Sequence, residues 1–489
     1  MTNSSASFVP HLELAIGASQ VAVDPAVCAQ YAVDEILPSA VAKPASAEQV
    51  AEIVRFAALE KVALIPCGRR TKLEIGMPPS RYDIALDMTG LHQVAHYDPG
   101  DLTVSVDAGA NFNDLAAPLY KQKQFLPLSV PFYFESTIGG IIASGVDSSL
   151  RYSYGSARDF LIGAEFVDGT GRLCKSGGRV VKNVTGYDLH KLLIGSLGTL
   201  AVITRLNFRT FPAAPASGGF VLCFRAHEDA LAFNKLVERS PLRPASIDLV
   251  SPQLMQLFLE AEKSSPEPPA APLEGKCPAN SWHLCISVEG TPEVCDRASR
   301  ELDQLASSPA KPTQFVTLNE SEGADLWHYI GQSIPLLLEA SPAAAIFKIS
   351  TLPARLIALL QQLRAVADQA PLPHATLARA CGVLYFALLP NSGDPASLQR
   401  LSEAASRIFS LCASENAFAF LPWCPAQFKR QINIWGPDFF APAYPGRTPS
   451  RLRSSSGPCV AGRTDIPLMR RLKSAFDPQN ILAPGRFVF

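Results

Sequence analysis

Three short stretches of this chain place glycines beside cations and hydroxyls, the combination that lets backbone amides and side-chain donors close on a phosphate-bearing ligand. The first, PCGRRTKLEIG, runs from Pro66 to Gly76. Gly68 follows an apolar run and allows the backbone to approach a phosphate, while Arg69, Arg70, Thr71 and Lys72 add donors and positive charge. Taken alone, the stretch reads as an ordinary basic turn. The second, STIGGIIASGVDSSLRYSYGSARDF, runs from Ser136 to Phe160 and removes side chains at Gly139, Gly140, Gly145 and Gly155. Glycines in such a run mark the close approach of a ligand or of another backbone. The third, GGRVVKNVTGYDL, runs from Gly177 to Leu189 and gathers Arg179, Lys182, Asn183 and Tyr187. Its structural alternative is a surface loop capped by Asp188 ahead of a helix.

Several chemistries are excluded or disfavoured by what these stretches are not. Neither the dinucleotide fingerprint G-x-G-x-x-G nor G-x-x-x-x-G-K-[ST] occurs, which argues against a nicotinamide Rossmann domain and a P-loop. Eleven cysteines are spread singly from Cys28 to Cys459 with no C-x-x-C pair. That pattern signals no disulfide framework, no metal site and no ferredoxin-type iron–sulfur centre, so electrons must come and go by another carrier. His283, His328 and His374 stand singly on apolar or mixed stretches and read as satisfied or solvated histidines. The net charge is −1, with 47% hydrophobic and 18% charged residues, and no basic stripe suggests nucleic acid. No segment reaches the ~20 apolar residues of a membrane span, and the N-terminus lacks the pattern of a secretory signal. The expectation is a cytoplasmic protein, or one peripheral to a membrane through a partner.

The elements that must position these stretches follow from periodicity. At 489 residues the chain exceeds a single hydrophobic core, and two or three domains are expected. SAEQVAEIVRFAALEKVALIPCGRR predicts a helix and then a strand: Ser46 and Gln49 have capping-box spacing, and Val50, Ile53, Val54 and Ala57 share one helical face. Val62 to Ile65 predict a short buried strand ending in a glycine turn. LTVSVDAG predicts a half-buried strand by the alternation of Leu102, Val104 and Val106, and Asn111 is the expected N-cap of the next helix. Two strands are expected around the Asp168–Gly169 turn, and another in SLGTLAVITRLNFRTF. After Pro212, strand and helix units alternate, interrupted by the Pro/Ala-rich SSPEPPAAPLEGKCPAN. The pattern gives an α+β fold, with a second domain that could be a ferredoxin-like sheet carrying helices on one face.

Together the three stretches resemble, in order and spacing, the FAD-binding domain of the vanillyl-alcohol-oxidase / p-cresol-methylhydroxylase (PCMH) flavoprotein family. The likeness is nearest to glycolate-oxidase-type FAD-binding subunits, through Thr137-Ile138-Gly139-Gly140, YSYGSARDF, GGRVVKNVTGYDL, GSLGTLAVI, INIWGP at Ile432 to Pro437, and FDPQNILAPGRF at Phe476 to Phe487. The resemblance implies a PCMH-type FAD-binding domain over 36–214 behind an N-terminal segment, 1–35. A cap follows over 215–440 with a Pro-rich insertion near 264–280, and a tail, 441–489, returns to the FAD domain. It implies that Pro66, Cys67, Gly68, Arg69, Arg70, Thr71 and Lys72 hold FAD together with Ser136, Thr137, Ile138, Gly139, Gly140, Ser144, Gly145, Arg151, Gly155, Asp159, Gly198 and Ile203. Lys182, Asn183 and Tyr187 would lie near the isoalloxazine.

Departures from the family pattern sharpen these expectations. Arg70 stands where relatives carry a glycine, so either a positive φ there strains the loop or the guanidinium serves a pyrophosphate. The loop has no histidine and offers only Cys67 for covalent attachment, so the FAD is expected to be non-covalent. The family's G-D-G-N-x-H segment is missing. Lys348, in FKIS, replaces an arginine and lacks its bidentate fork. Arg179, Lys182, Lys348 and Arg486 are the cations available to a substrate carboxylate; with Tyr187 they complete the catalytic candidates. Three functional readings stand open. The chain is a subunit that oxidises a 2-hydroxy acid such as glycolate or D-lactate and passes electrons to flavoprotein and iron–sulfur partner subunits; or a self-sufficient 2-hydroxyacid dehydrogenase; or a flavin-poor assembly subunit.

Overall fold

The computed structural model describes residues 8–180, 186–264, 273, 275–307, 311–436 and 465–487. The helix Ala47–Glu60 starts at Ser46, whose hydroxyl accepts from the Gln49 amide at 3.3 Å, while the Gln49 side chain reaches back to the Ala45 amide at 2.7 Å. Val50, Ala51, Ile53, Val54 and Ala57 are fully buried on its inner face. Val50, Ile53 and Val54 each contribute about 1.5–3 kcal/mol by this burial, which fixes the helix to its sheet. The sheet contains β1 (Val21–Ala22), β2 (Ala40–Ala42), β3 (Leu64–Cys67) and β4 (Ile84–Asp87) in the order β1-β2-β4-β3. β2 and β3 both run parallel to β4. The glycine-containing loop 68–72 therefore leaves from the carboxyl end of β3.

A second sheet is antiparallel throughout. It is built from β5 (Val94–Asp98) and β6 (Thr103–Asp107), then, after the short β7 (Gln124–Phe125), from β8 (Leu161–Asp168), β9 (Leu173–Gly177) and β10 (Ala201–Arg209). Their order is β5-β6-β10-β8-β9, and β11 (Phe211–Pro212) pairs with β7. The Asp168 carboxylate closes the turn between β8 and β9 by accepting from the amides of Thr170 at 2.9 Å and Arg172 at 3.2 Å. Helix Phe112–Lys121 is capped by Asn111, which accepts from the Asn113 amide at 2.7 Å. β6 is buried on both faces, not half-buried, because its polar side chains find partners on β10: Ser105 donates to Asn207 at 2.6 Å, and Asp107 pairs with Arg205 at 2.9 Å.

The third sheet holds eight strands, β12 (Ala216–Phe224), β13 (Ser246–Val250), β14 (Trp282–Gly290), β15 (Gln314–Leu318), β16 (Ala345–Ser350), β17 (His374–Arg379), β18 (Val383–Leu388) and β19 (Phe418–Trp423). Their order is β15-β12-β14-β13-β17-β18-β16-β19, all antiparallel. Helices cover both faces, where the sequence reading placed them on one. His227–Arg239, Pro292–Ala306, Leu356–Gln369 and Pro395–Ser414 pack on one side; Pro252–Ser264, Glu320–Gly331 and Ser333–Ala340 pack on the other. The reason is visible in the strands: all six residues of β18 are buried, and a strand apolar on both sides needs two covers.

The described part of the C-terminal tail lies along the edge of the first sheet. Leu64 donates to Ile481 O at 2.8 Å and Ala483 donates to Leu64 O at 2.7 Å. Among the described residues, no helix is long and apolar enough to cross a membrane.

Candidate functional site

A cleft between the first two sheets has about 770 Å3 of empty space, its open mouth included. The end of β3 and the loop after it supply Pro66 to Lys72. The helix Ile138–Ser144 supplies Gly139, Gly140, Ala143 and Ser144, with Thr137 at its head; the turn before β10 supplies Leu197 and Gly198, and the start of β10 supplies Ala201 and Ile203. Two close approaches define the floor. A Cβ on Gly68 would stand 2.0 Å from the Thr137 hydroxyl oxygen, and one on Gly139 would stand 2.8 Å from Ala108 O. Neither position has room for a side chain: Gly68 packs against the Thr137 side chain, and Gly139 against the backbone and Cβ of Ala108. Thr137 also accepts from the Gly140 amide at 3.3 Å, which starts the helix.

The loop is held from several sides. Arg70 is exposed and has a φ of 67°, in the left-handed region, and its guanidinium lies 4.5 Å from the centre of the Tyr31 ring. Tyr31 is itself fixed by donating to Asp87 at 2.8 Å and by accepting, through its carbonyl, from the Tyr82 hydroxyl at 2.9 Å. The Lys72 amine hydrogen-bonds Ser136 Oγ and, at 3.2 Å, Thr71 Oγ1. Burial pushes that amine down to about 7, against the pull of nearby Glu135. Arg486 lines the cleft and donates to the carbonyls of Leu73 and Ile75, so it clamps the end of the loop.

A second chamber lies against the other side of the helix Ile138–Ser144. It is lined by Ile141, Gly145, Val146, Asp147, Ser148, Arg151, Gly155, Arg158, Lys191 and Lys348, among others. Four of these are cations and one is an anion. Asp147 pairs with Arg151 at 3.3 Å. The Lys348 amine donates to Gly145 O at 3.0 Å, and burial lowers its proton affinity, with Asp147 opposing and Arg151 and Arg379 assisting.

The structure thus brings together in one cleft Pro66, Cys67, Gly68, Arg69, Arg70, Thr71, Lys72, Thr137, Gly139, Gly140, Ser144, Gly198, Ile203 and Arg486. Gly145, Arg151, Gly155 and Lys348 meet in the chamber instead. Ser136 stands behind the cleft as the partner of Lys72, and Ile138 is fully buried in the core. Asp159 is engaged in capping its own helix, accepting from the Ser156 amide at 2.7 Å. Tyr187 is 90% exposed. Lys182 and Asn183 lie outside the described residues. The sequence reading missed Tyr31, Asp147 and Arg379; only the aromatic character of Tyr31 and its distance of a few residues from Asp34 set that segment apart.

The donors around the cleft are hydroxyls, an amine, guanidinium groups and backbone amides exposed by glycine, a set suited to the pyrophosphate of FAD. The comparisons with known proteins agree. A family model described as FAD binding domain matches residues 38–177, and the C-terminal domain of FAD linked oxidases matches 220–414 and 458–487. Glycolate oxidase subunit GlcE of Escherichia coli K12 is 35% identical over 167 residues, which cover 34% of this chain and 47% of that protein, about half its length. Glycolate oxidase subunit GlcD of Bacillus subtilis 168 is 22% identical over 452 residues, 92% of this chain and 89% of that one. Among solved structures, p-cresol methylhydroxylase with substrate bound matches with a TM-score of 0.76 at 17% identity, covering 99% of this chain and 97% of its own, a likeness of fold.

Proposed function

We propose, from an FAD binding domain followed by the C-terminal domain of FAD linked oxidases on a fold like that of p-cresol methylhydroxylase, that the chain is the FAD-binding subunit of a glycolate-oxidase-like complex. In this reading it oxidises a small 2-hydroxy acid to the 2-oxo acid and hands the electrons to a partner subunit. The observation that supports it best is the pairing of a donor-lined cleft with a cationic chamber on two sides of one short helix. Residues 66–72, Thr137 to Ser144, Gly198 and Ile203 would hold FAD, which when bound supplies the two-electron acceptor.

The remaining work falls to this chain's own groups. Lys348 and Arg151 offer positive charge to a carboxylate, and an anion entering the chamber restores to Lys348 the proton affinity that burial removes. Lys348 acts as a point charge there, orienting the acid less tightly than an arginine fork would. Cys67, the one residue of the loop able to attach flavin covalently, is 6% exposed, points its thiol at Leu86 O at 3.6 Å and is held by burial above the thiol's usual range. A thiol so placed is a poor nucleophile, which favours non-covalent FAD. The cysteines are single and widely spaced, so an iron–sulfur relay would belong to another polypeptide. A second reading, an assembly subunit with little flavin, is favoured by one observation only, the left-handed backbone at Arg70.

The test is the visible absorbance of the purified protein before and after anaerobic addition of glycolate or D-lactate. Flavin bands that bleach are the expected result. Bands that persist refute oxidation by this chain, and no bands after adding FAD transfer the case to the assembly reading. Acid precipitation should leave the flavin in the supernatant.

A further inference from the structure

Four polar side chains cross the third sheet in a row on adjacent strands. Lys348 of β16 stands opposite Tyr385 of β18, and Asp248 of β13 stands opposite Arg379 of β17, the strand paired with β18. Arg379, Tyr385 and Asp248 are 4%, 5% and 0% exposed. All four reach five consecutive residues of the preceding domain, Gly145 to Ser149. Lys348 donates to Gly145 O at 3.0 Å. Arg379 lies 3.6 Å from the Asp147 carboxylate, donates to Asp147 O at 3.5 Å, and hydrogen-bonds Ser149 Oγ. Ser149 in turn donates to Asp248 at 2.5 Å, and Asp248 pairs with Arg379 at 3.4 Å. The guanidinium also lies 5.7 Å from the centre of the Tyr385 ring.

A buried ion cluster is a weak source of stability, because desolvation offsets its attraction and apolar residues of the same volume often serve as well. This one is not fully hydrogen-bonded: Arg379 Nε and Asp147 Oδ2 face each other at 3.6 Å, and both atoms, like Asp248 Oδ1, are buried without a hydrogen-bond partner. What the cluster does secure is the place of a segment. Gly145, Val146, Asp147 and Ser148 form one wall of the cationic chamber. We infer that Arg379 is a positioning residue, which fixes the segment Gly145–Ser149 to the third sheet and so sets the distance between the chamber wall and Lys348. The inference rests on the chamber being the place of 2-hydroxyacid oxidation.

Two variants test it in the full-length, FAD-loaded chain. Arg379→Lys keeps the charge and loses the fork; Ser149→Ala removes only the hydroxyl between guanidinium and Asp248. With cooperative thermal unfolding retained, kcat should fall about 100-fold in the first, the cost of a misplacement on the order of 1 Å. It should fall about 10-fold in the second, the worth of one hydrogen bond. KM should change little in either. A folded, loaded Arg379→Lys protein with the wild-type kcat overturns the inference, and so does a loss carried wholly by KM. If Arg379→Lys does not fold, Ser149→Ala decides by the same criteria. If the wild-type flavin bleaches with no 2-hydroxy acid, the proposed reaction fails by itself. The inference is then decided by the visible circular dichroism of the bound FAD, which changes in the variants if the segment has moved and matches the wild type if Arg379 does not place it.

Discussion

Replacing Arg70 by glycine separates two opposed contributions of one side chain. A non-glycine residue in the left-handed region costs about 1–2 kcal/mol, and Arg70, with its φ of 67°, carries that cost. Against it stands the guanidinium over the Tyr31 ring, which for an exposed arginine is worth about 0.5–1 kcal/mol. Arg70→Gly removes both, and the balance favours the closed loop by up to about 1.5 kcal/mol. Arg70→Ala removes the ring contact and keeps the strain. A strained loop spends part of its time open, and the apparent Kd rises by the reciprocal of the closed fraction. FAD should therefore bind up to about 10-fold more tightly to Arg70→Gly and about 2- to 5-fold more weakly to Arg70→Ala, from the conversion of 1.4 kcal/mol per tenfold. The thermal midpoint should barely move in the glycine variant, since the added freedom of its unfolded chain, about 0.5–1 kcal/mol, cancels the gain. Fluorescence titration of the apoprotein with FAD measures the affinities. Equal affinity in the glycine and alanine variants would refute strain, and a matching loss in both would show that Arg70 serves FAD through its charge.

Three further outcomes follow from the same geometry. Lys72 in the unliganded chain is pushed down to about 7 by burial, and a phosphate beside it would raise it again, so FAD binding takes up a proton. Affinity should be highest below about pH 7 and fall as pH rises through it, by up to about tenfold per unit; calorimetric titrations across pH should show the slope, and Lys72→Met should abolish it. Lys348→Met should lower kcat/KM for a 2-hydroxy acid by roughly 10- to 150-fold, the worth of a charge-assisted hydrogen bond, and Lys348→Arg should restore it, both read by dye-linked steady-state kinetics. Lys473 bonds Asp477 at 2.6 Å, Thr199 O at 2.7 Å and Leu482 O at 2.8 Å in the core. Lys473→Met should cost about 3–5 kcal/mol by leaving a buried carboxylate uncompensated, measured by chemical denaturation.

What the sequence disclosed about the cleft was its local part. Gly68, Thr71 and Lys72 lie within one loop, and Thr137, Gly139 and Gly140 head one helix, so residue type and spacing carry the signal without any knowledge of the tertiary fold. The helix at Ala47 was legible for the same reason, since its cap and its apolar face occupy a single turn after turn of chain. The two faces of the third sheet were not. Strand patterns such as VLYFAL report that a strand is buried, but not which helices will cover each side.

Arg486 shows where local reading fails for a physical reason. A basic residue near the C-terminus is compatible with a substrate carboxylate, and its type alone offers no means of choosing. The structure engages it with the carbonyls of Leu73 and Ile75 and sets it 3.8 Å from Asp34, three points separated by most of the chain. Burial lowers its guanidinium to about 10, with Asp34, Tyr82 and Glu74 opposing the shift. Its Nη2 is committed to two carbonyls, so Arg486 clamps the end of the loop, while its Nη1 faces Asp34 and is buried without a hydrogen-bond partner. Arg379 is the converse case. Its nearest chemical partners, Ser149 and Asp248, are 230 and 131 residues away in sequence, and FAD-domain loop and sheet meet only once both have folded. The residues that hold a ligand can be local in sequence, because one loop can cradle a phosphate; the residues that fix one domain's wall against another cannot be, because the boundary they span is made by the fold itself.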